Sequence, residues 1–341
     1  VIGPGAVDLA SRRLGGSVVA ASDESFGVKE RLIDPSEPAF VPGTYDLRGE
    51  VVDGWETRRH AGPDGDWVIV RLGAPGRLRT VDVDTRFFSG NHPTSCRVDA
   101  CVLGLTDDPT DPGTGWVELT PWTVLHPDSS NPLTIADPRR WTHLRLRLGS
   151  DGGVARLRAY GEVIPDPLSW TDVSVEVSGV EQGGRVEWCS DSHYSDAHAL
   201  IRPDRPRNMG DGWETRRRRD IGPETHDAVM VSFAAPAHLR RLEIDTSYFV
   251  FNASREISVL GSRHCPDGEN GWALVPFDIP VLARTPLAAD ARHTFTVDVP
   301  EICALRVQAY PDGGLARVRA IGTPTPDGMR RLQKRWEETS E

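Results

Sequence analysis

The seven-residue run Asp-Gly-Trp-Glu-Thr-Arg-Arg occurs twice in this chain, at 53–59 and at 211–217, an offset of 158 residues. A second run, Asp151-Gly152-Gly153-Val154-Ala155-Arg156-Leu157-Arg158-Ala159, returns as Asp312-Gly313-Gly314-Leu315-Ala316-Arg317-Val318-Arg319-Ala320, 161 residues on. Between them, Asp84-Thr85-Arg86-Phe87-Phe88 is answered by Asp245-Thr246-Ser247-Tyr248-Phe249 at the same offset of 161. Three landmarks in one order at nearly one spacing mark a duplicated unit. Its period far exceeds the roughly 20–50 residues of solenoid and propeller repeats. The chain is therefore two copies of a whole domain, and its 341 residues give each copy enough length to bury a core.

Strand signals recur in both copies with period two. Val81 and Val83 alternate with Asp82 and Asp84; Leu144, Leu146 and Leu148 with Arg145 and Arg147; Ala155, Leu157 and Ala159 with Arg156 and Arg158. In the second copy Leu242 and Ile244 alternate with Glu243 and Asp245, and Leu305, Val307 and Ala309 with Arg306 and Gln308. Each pattern gives one apolar and one polar face. Short strands, hardly any 3.6-residue periodicity, and 33 Gly and 27 Pro spread along the chain predict an all-β antiparallel sandwich in each copy. The expected boundaries are an N-terminal lead-in over 1–19, a first repeat over 20–163, a second over 173–323 and a charged tail over 324–341. Within the lead-in one short helix is expected over 7–13, stopped by Gly15-Gly16. Ile164-Pro165-Asp166-Pro167 reads as an extended linker, and the tail from Met329 can form a terminal helix.

The formal charge of −11, from 50 acidic and 39 basic residues, argues against a nucleic-acid or membrane-surface binder and leaves small anionic ligands open. No continuous apolar span or secretory leader is visible. The five cysteines are odd in number and lack C-x-x-C spacing. This argues against a disulfide framework and a structural zinc site, and suits a reducing cytoplasm. Cys96 reads as a core residue. The outward Arg rows (Arg145, Arg147, Arg156, Arg158, Arg306, Arg317, Arg319) read as ion-paired sheet faces or a subunit contact, hence a homo-oligomer.

Chemistry concentrates at the landmarks. In the heptapeptide, Trp55 and Trp213 offer large surfaces with one donor each. Glu56 and Glu214 can exchange protons, and Arg58-Arg59 and Arg216-Arg217 can grip a carboxylate. A Trp anchor with an Arg–Glu pair can equally pin a turn, and duplication does not choose between scaffold and site. The loop Gly90-Asn91-His92-Pro93 carries polar side chains on a turn beyond a strand. In the second copy it becomes Phe251-Asn252-Ala253-Ser254, so two sites built there are not equivalent. Each copy also opens with an acidic segment, Asp23-Glu24-Ser25-Phe26 and Asp191-Ser192-His193-Tyr194. Asp191-x-His193 and Asp196-x-His198 lack the closed spacing of a strong metal motif, and a solvated acidic loop is the plainer reading. No phosphate loop, nucleophile elbow or dinucleotide fingerprint is present.

Together these segments resemble the allantoicase family, which hydrolyses allantoate in purine degradation. The resemblance runs through Asp8-Leu9-Ala10-Ser11, Leu14-Gly15-Gly16, Ala21-Ser22-Asp23-Glu24-Ser25-Phe26 and the first heptapeptide. It continues through Asp82 to Asn91, His126-Pro127-Asp128-Ser129, Trp141-Thr142-His143-Leu144-Arg145, Asp151 to Gly161, and Asn208-Met209-Gly210 leading into the second heptapeptide. It implies two tandem jelly-roll domains related to galactose-binding-like modules.

Allantoate carries two ureido groups on the carbon next to its carboxylate. The implied reaction adds water and releases one urea, leaving ureidoglycolate. It needs a proton donor for the leaving nitrogen, a base for water, and donors for the carboxylate. Residue chemistry nominates Glu56 or Glu214 as acid, and Asp23 or His92 as base. Arg58, Arg59, Arg216 and Arg217 are the carboxylate ligands, and Asn91 and Asn252 the ureido ligands. The scheme calls for no metal and no cofactor. A non-catalytic jelly-roll pair binding a sugar or small acid, or a hydrolase of another ureido acid such as ureidoglycolate, are the competing expectations.

Overall fold

The computed structural model describes residues 6–47, 49–60, 65–104, 106–219, 222–266 and 272–340; part of the expected lead-in, residues 1–5, lies outside them. The chain divides into two compact units, Val1–Ile164 with Glu338–Glu341, and Pro165–Glu337. Each is an antiparallel jelly-roll β-sandwich organised by one long strand.

In the first unit that strand is Trp67–Asp84. Its leading half pairs with Arg140–Leu148 and Ser17–Ala21, and its trailing half with Arg156–Val163 and Ser130–Thr134. The change of partners falls at Gly73-Ala74-Pro75-Gly76, where the ladder with Arg140–Leu148 slips register. Proline has no N–H to give a ladder, so it sits where pairing is already interrupted. The second unit repeats the plan. Asp227–Asp245 pairs early with Arg185–Cys189 and late with Arg317–Pro324, and its ladder to Arg292–Tyr310 slips between Ser232 and Ala237, around Pro236.

The alternation places the core as expected. Val81, Val83, Leu144, Leu146, Leu148 and Leu157 are buried in one unit, and Leu242, Ile244, Leu305 and Val307 in the other. Each such side chain contributes roughly 1.5–3 kcal/mol on burial. Cys96 lies in this core, where burial pushes its thiol up to about 12. The terminal helix is present over Pro326–Glu338, with Leu332 on its buried side.

Several expectations are corrected. The helix over 7–13 is instead the strand Val7–Asp8, paired with Tyr160 and Gly161, followed by a 3-10 turn over Arg12–Leu14 that Gly15 ends at φ 99°. Leu9 and Ala10 between them are fully buried, so this segment completes the first sheet. The linker is not wholly extended, because Asp166 caps a 3-10 turn over Pro167–Trp170. Two of the outward arginines are buried, covered by the segments that carry Ser36 and Asp204: Arg156 is 1% and Arg317 0% exposed, each neutralised by a carboxylate. Arg145, Arg158 and Arg319 are ion-paired, to Asp99, Asp8 and Glu176. Finally, Cys265 and Cys303 form a disulfide across 38 residues. The ladder between Glu256–Ser262 and Arg292–Tyr310 brings them together by setting Ser262 opposite Ala304, a proximity that cysteine spacing does not reveal. Cys96, Cys101 and Cys189 are free thiols.

Candidate active site

The three duplicated runs meet in space. Trp55–Glu56 forms a short strand that pairs with Gly153–Val154, and Trp213–Glu214 pairs likewise with Gly314–Leu315. The third run supplies the wedge. Phe88, fully buried, lies so close to Gly153 that a Cβ there would fall 2.0 Å from its ring, and 2.8 Å from it at Gly54. Only glycine permits that approach. Beside Phe88, Phe87 adopts φ 69° and Tyr248, its counterpart, φ 70°. Left-handed backbone is costly for an aromatic residue. It is held here by Asp128 and Asp290, whose Oδ1 atoms each accept the aromatic residue's amide at 2.7 Å.

This scaffold presents the polar groups of the first unit. Trp55 is fully buried and its indole donates to the Asp23 carbonyl at 2.8 Å. Glu56 follows it, half-buried, with Oε1 accepting from Asn91 Nδ2 at 2.6 Å. The Asn91 carbonyl in turn accepts the Gly153 amide at 2.8 Å, which fixes the loop to the second duplicated run. Burial pushes the Glu56 carboxyl above its ordinary range, against the opposing pull of Asn91 and of the Arg59 charge. Asp23 goes the other way. Burial raises it, but the Ser25 and Arg58 amides, the Ser25 hydroxyl and the Arg58 guanidinium together hold it below the usual carboxylate range. Two neighbouring carboxyls pushed apart in this way supply one candidate acid and one standing anion.

Arg58 reaches Asp23 through Nε at 3.0 Å, and its terminal nitrogens make no hydrogen bond among the described residues. Arg59 is exposed. His92 is half-buried, and its Nδ1 is buried with no hydrogen-bond partner among the described residues.

The second unit reproduces the frame. Trp213 is fully buried and donates to the Asp191 carbonyl at 2.8 Å; Glu214 Oε1 accepts from Asn252 Nδ2 at 2.5 Å; Arg216 Nε meets Asp191 Oδ2 at 2.7 Å. The surroundings differ. Ser195 Oγ accepts the Glu214 amide at 2.7 Å, Arg217 donates to the Phe251 carbonyl at 3.1 Å, and Ala253 stands where His92 stands in the first copy. Of the two Asp-x-His pairs, Asp191 accepts the His193 amide, and Asp196 caps a turn and meets His198 Nδ1 at 2.7 Å. No three His, Cys, Asp or Glu side chains converge for a metal among the described residues.

Three features escaped the sequence reading. Asp128 and Asp290, the loop clamps, lie 162 residues apart, one more than the offset of the neighbouring landmark, so an exact-offset comparison misses them. Ser195 lies outside any repeated run. His60 Nε2 meets Asp66 Oδ2 at 3.0 Å, and Asp66 also accepts from Ser22, while in the second copy Arg218 and Ser190 hold Asp227 in the same way. That substitution hides the correspondence.

Comparison with known proteins agrees with this architecture. A family model described as the allantoicase repeat matches residues 7–164 and again 175–325. The chain is 43% identical over 320 residues to a probable allantoicase of Nocardia farcinica, covering 92% of this chain and 93% of that one. It is 39% identical over 348 residues to a probable allantoicase of Streptomyces avermitilis, covering 97% and 89%. The crystal structure of allantoicase from Saccharomyces cerevisiae superposes with a TM-score of 0.75 at 28% identity, over 93% of each chain. Two matched repeats, close relatives along nearly the whole length and a shared fold place this chain in the allantoicase family.

Proposed function

We propose that this protein hydrolyses allantoate to ureidoglycolate and urea, a step of purine degradation. The observation that carries the site is a half-buried carboxyl, Glu56, raised above its ordinary range and aimed by Asn91 on a Trp anchor. In this reading the lone pair of the retained ureido nitrogen pushes out the other ureido group. The C–N bond breaks, and Glu56 gives its proton to the departing nitrogen. Water then adds to the resulting C=N carbon, forming the C–O bond, and loses one proton to a base. His92 is the better base, because the Asp23 carboxylate is already engaged by Ser25 and Arg58. Arg58 and Arg59 take the substrate carboxylate and Asn91 a ureido oxygen; Trp55, expected to line the site, is fully buried and instead anchors the strand that carries Glu56. Glu214, Trp213, Asn252, Arg216 and Arg217 form the matching set of the second unit. The scheme needs no Lewis acid, because no carbonyl is attacked; activity lost to a chelator and restored by a divalent ion overturns that part.

The same reading includes a homo-oligomer and a cytoplasmic location; the three free thiols agree with that location and the Cys265–Cys303 disulfide weighs against it. Among the described residues no helix is long and apolar enough to cross a membrane. The test is urea release from allantoate by purified protein, with Glu56→Gln and Glu214→Gln side by side. Glu56→Gln is expected to lose about 10²–10⁴ in kcat, and Glu214→Gln less. Ordinary turnover by Glu56→Gln removes the assigned acid; no urea from the unaltered protein removes the function.

A further inference from the structure

The second unit contains a cavity of about 180 Å³ lined by Arg205, Glu243, Asp245, Arg292, Arg317 and Arg319. The duplication supplies an internal control for it. Arg156 Nε donates to the Ser36 carbonyl at 3.0 Å and Arg317 Nε to the Asp204 carbonyl at 2.9 Å, which matches Ser36 with Asp204 and the next residues, Glu37 with Arg205. Across the ladder Ser130 faces Asp84 as Arg292 faces Asp245. At this place in the first unit Arg86 lies across the gap, ion-paired to both Asp84 and Glu37. The second unit has Ser247 at that position.

Four replacements thus separate the two copies here. The plugging arginine has become serine, Glu37 has become Arg205, Ser130 has become Arg292, and Ser36 has become Asp204, whose carboxylate is taken up by Arg317. Removing one positive charge, reversing a negative one, adding a positive one and adding a negative one leaves the second copy one unit more positive. Arg317 and Arg319 are tied to Asp204 and Glu176. Arg205 and Arg292 are exposed, and their side chains make no hydrogen bond or ion pair among the described residues. Two uncommitted guanidinium groups beside two committed ones, around an open space, are the donor set that a tetrahedral or planar oxyanion requires.

We infer that this cavity is a binding site for a small doubly charged oxyanion of the phosphate or dicarboxylate class, separate from the Glu214–Asn252 cluster. Arg205 and Arg292 contact the ligand, and buried Arg317 anchors the wall. Arg317 also donates through Nη1 to the carbonyl of Asp211, the first residue of the second heptapeptide. An occupant is thereby mechanically joined to the backbone that carries Trp213 and Glu214.

The experiment is isothermal titration of the full chain with inorganic phosphate and, separately, malonate, at constant ionic strength. Three chains are compared: the unaltered protein, the Arg205→Glu/Ser247→Arg double variant that rebuilds the first copy's plug, and Arg292→Ser. The expected result is saturable one-site binding to the unaltered protein, weakened roughly 10-fold or more in both variants. Far-ultraviolet dichroism and Tm show whether the variants are folded; the first unit shows that this fold carries all three residues. No saturable binding to the unaltered protein overturns the proposal, and so does equal binding by folded variants. The readout is independent of urea release, so failure of the hydrolase assignment leaves it standing or falling on its own.

Discussion

Removing the Arg156 guanidinium is the sharpest test of why the heptapeptide and the Asp-Gly-Gly run were duplicated together. Arg156 is 1% exposed. Its Nη2 meets Asp53 Oδ2 at 2.6 Å, its Nη1 donates to the Asp53 and Ala155 carbonyls at 3.0 and 2.8 Å, and its Nε donates to the Ser36 carbonyl at 3.0 Å. Methionine keeps the stem's volume and strips every donor. The Asp53 carboxylate then loses its counter-ion and the carbonyls lose their donor. Breaking a buried pair this way costs about 3–5 kcal/mol, and the 29% exposure of the Asp53 side chain puts the cost near the lower figure. At about 2–4 °C per kcal/mol for a unit of this size, Arg156→Met should lower Tm by roughly 6–12 °C.

Urea unfolding of Arg156→Met, Asp53→Asn and the double variant gives the coupling directly, expected at about 1–3 kcal/mol. The second unit sharpens the test. There Arg317 takes its carboxylate from Asp204 at 2.8 Å, while Asp211, the heptapeptide residue, is met by Arg207 and Arg202. Arg317→Met should therefore couple to Asp204→Asn and not to Asp211→Asn. Coupling below about 0.5 kcal/mol for Arg156 with Asp53 refutes the argument, as does the reverse order in the second unit.

Two further outcomes follow from the carboxyl environments. Asn91 donates to Glu56 and thereby favours its ionised form, so Asn91→Ala should raise the Glu56 pKa further. A general acid works while protonated, so the alkaline limb of the kcat profile should move to higher pH; a limb that stays or moves down contradicts the assignment. Glu176 is pushed up to about 7, chiefly by burial and secondarily by Glu181, against Arg319. Its folded value lies above its unfolded value near 4.5, so its stabilising contribution is complete below about 4.5 and is lost as pH rises to about 7. Glu176→Gln should flatten the stability profile across that window by up to roughly 3 kcal/mol, read from urea midpoints at pH 4.5 and 8; an unchanged slope contradicts the cause given.

The sandwich core was legible because strand burial has period two, and Val81, Val83, Leu144 and Leu146 obey it. The same rule misled at Arg156 and Arg317. Alternation assigns them to the outer face, but the outer face there is covered by the segments carrying Ser36 and Asp204, whose carbonyls accept from the guanidinium groups. Of the site, the residue types were legible and the geometry was not. The Glu56–Asn91 pair depends on a loop that turns through Phe87 at φ 69°, which local preference disfavours for an aromatic. The clamp that permits it, Asp128, lies 41 residues further along the chain. Compensation at such range is a property of the fold and leaves no local mark.

What the copies share and where they part have different physical meanings. The Trp anchor, the glycine pair, the buried phenylalanine, the aspartate clamp and the Glu–Asn hydrogen bond recur in both units. The tryptophan, the glycines and the phenylalanine depend on a close backbone approach or a fully buried contact, where a single change is expensive. The differences fall on half-buried or exposed groups beside that frame. The Arg59 side chain makes no hydrogen bond among the described residues while Arg217 spends a donor on the Phe251 carbonyl, and an imidazole at His92 is a methyl at Ala253. Such changes cost the fold little and alter proton traffic and charge at once. On the proposed reading, the first unit carries the fuller set for urea expulsion: the Glu56 carboxyl, the His92 imidazole and the Arg59 guanidinium. The second keeps the frame with a methyl, Ala253, in place of the imidazole. A duplicated enzyme in which only one copy carries the full set should lose nearly all turnover through Glu56 and only part through Glu214, which is the asymmetry that the paired glutamine variants measure.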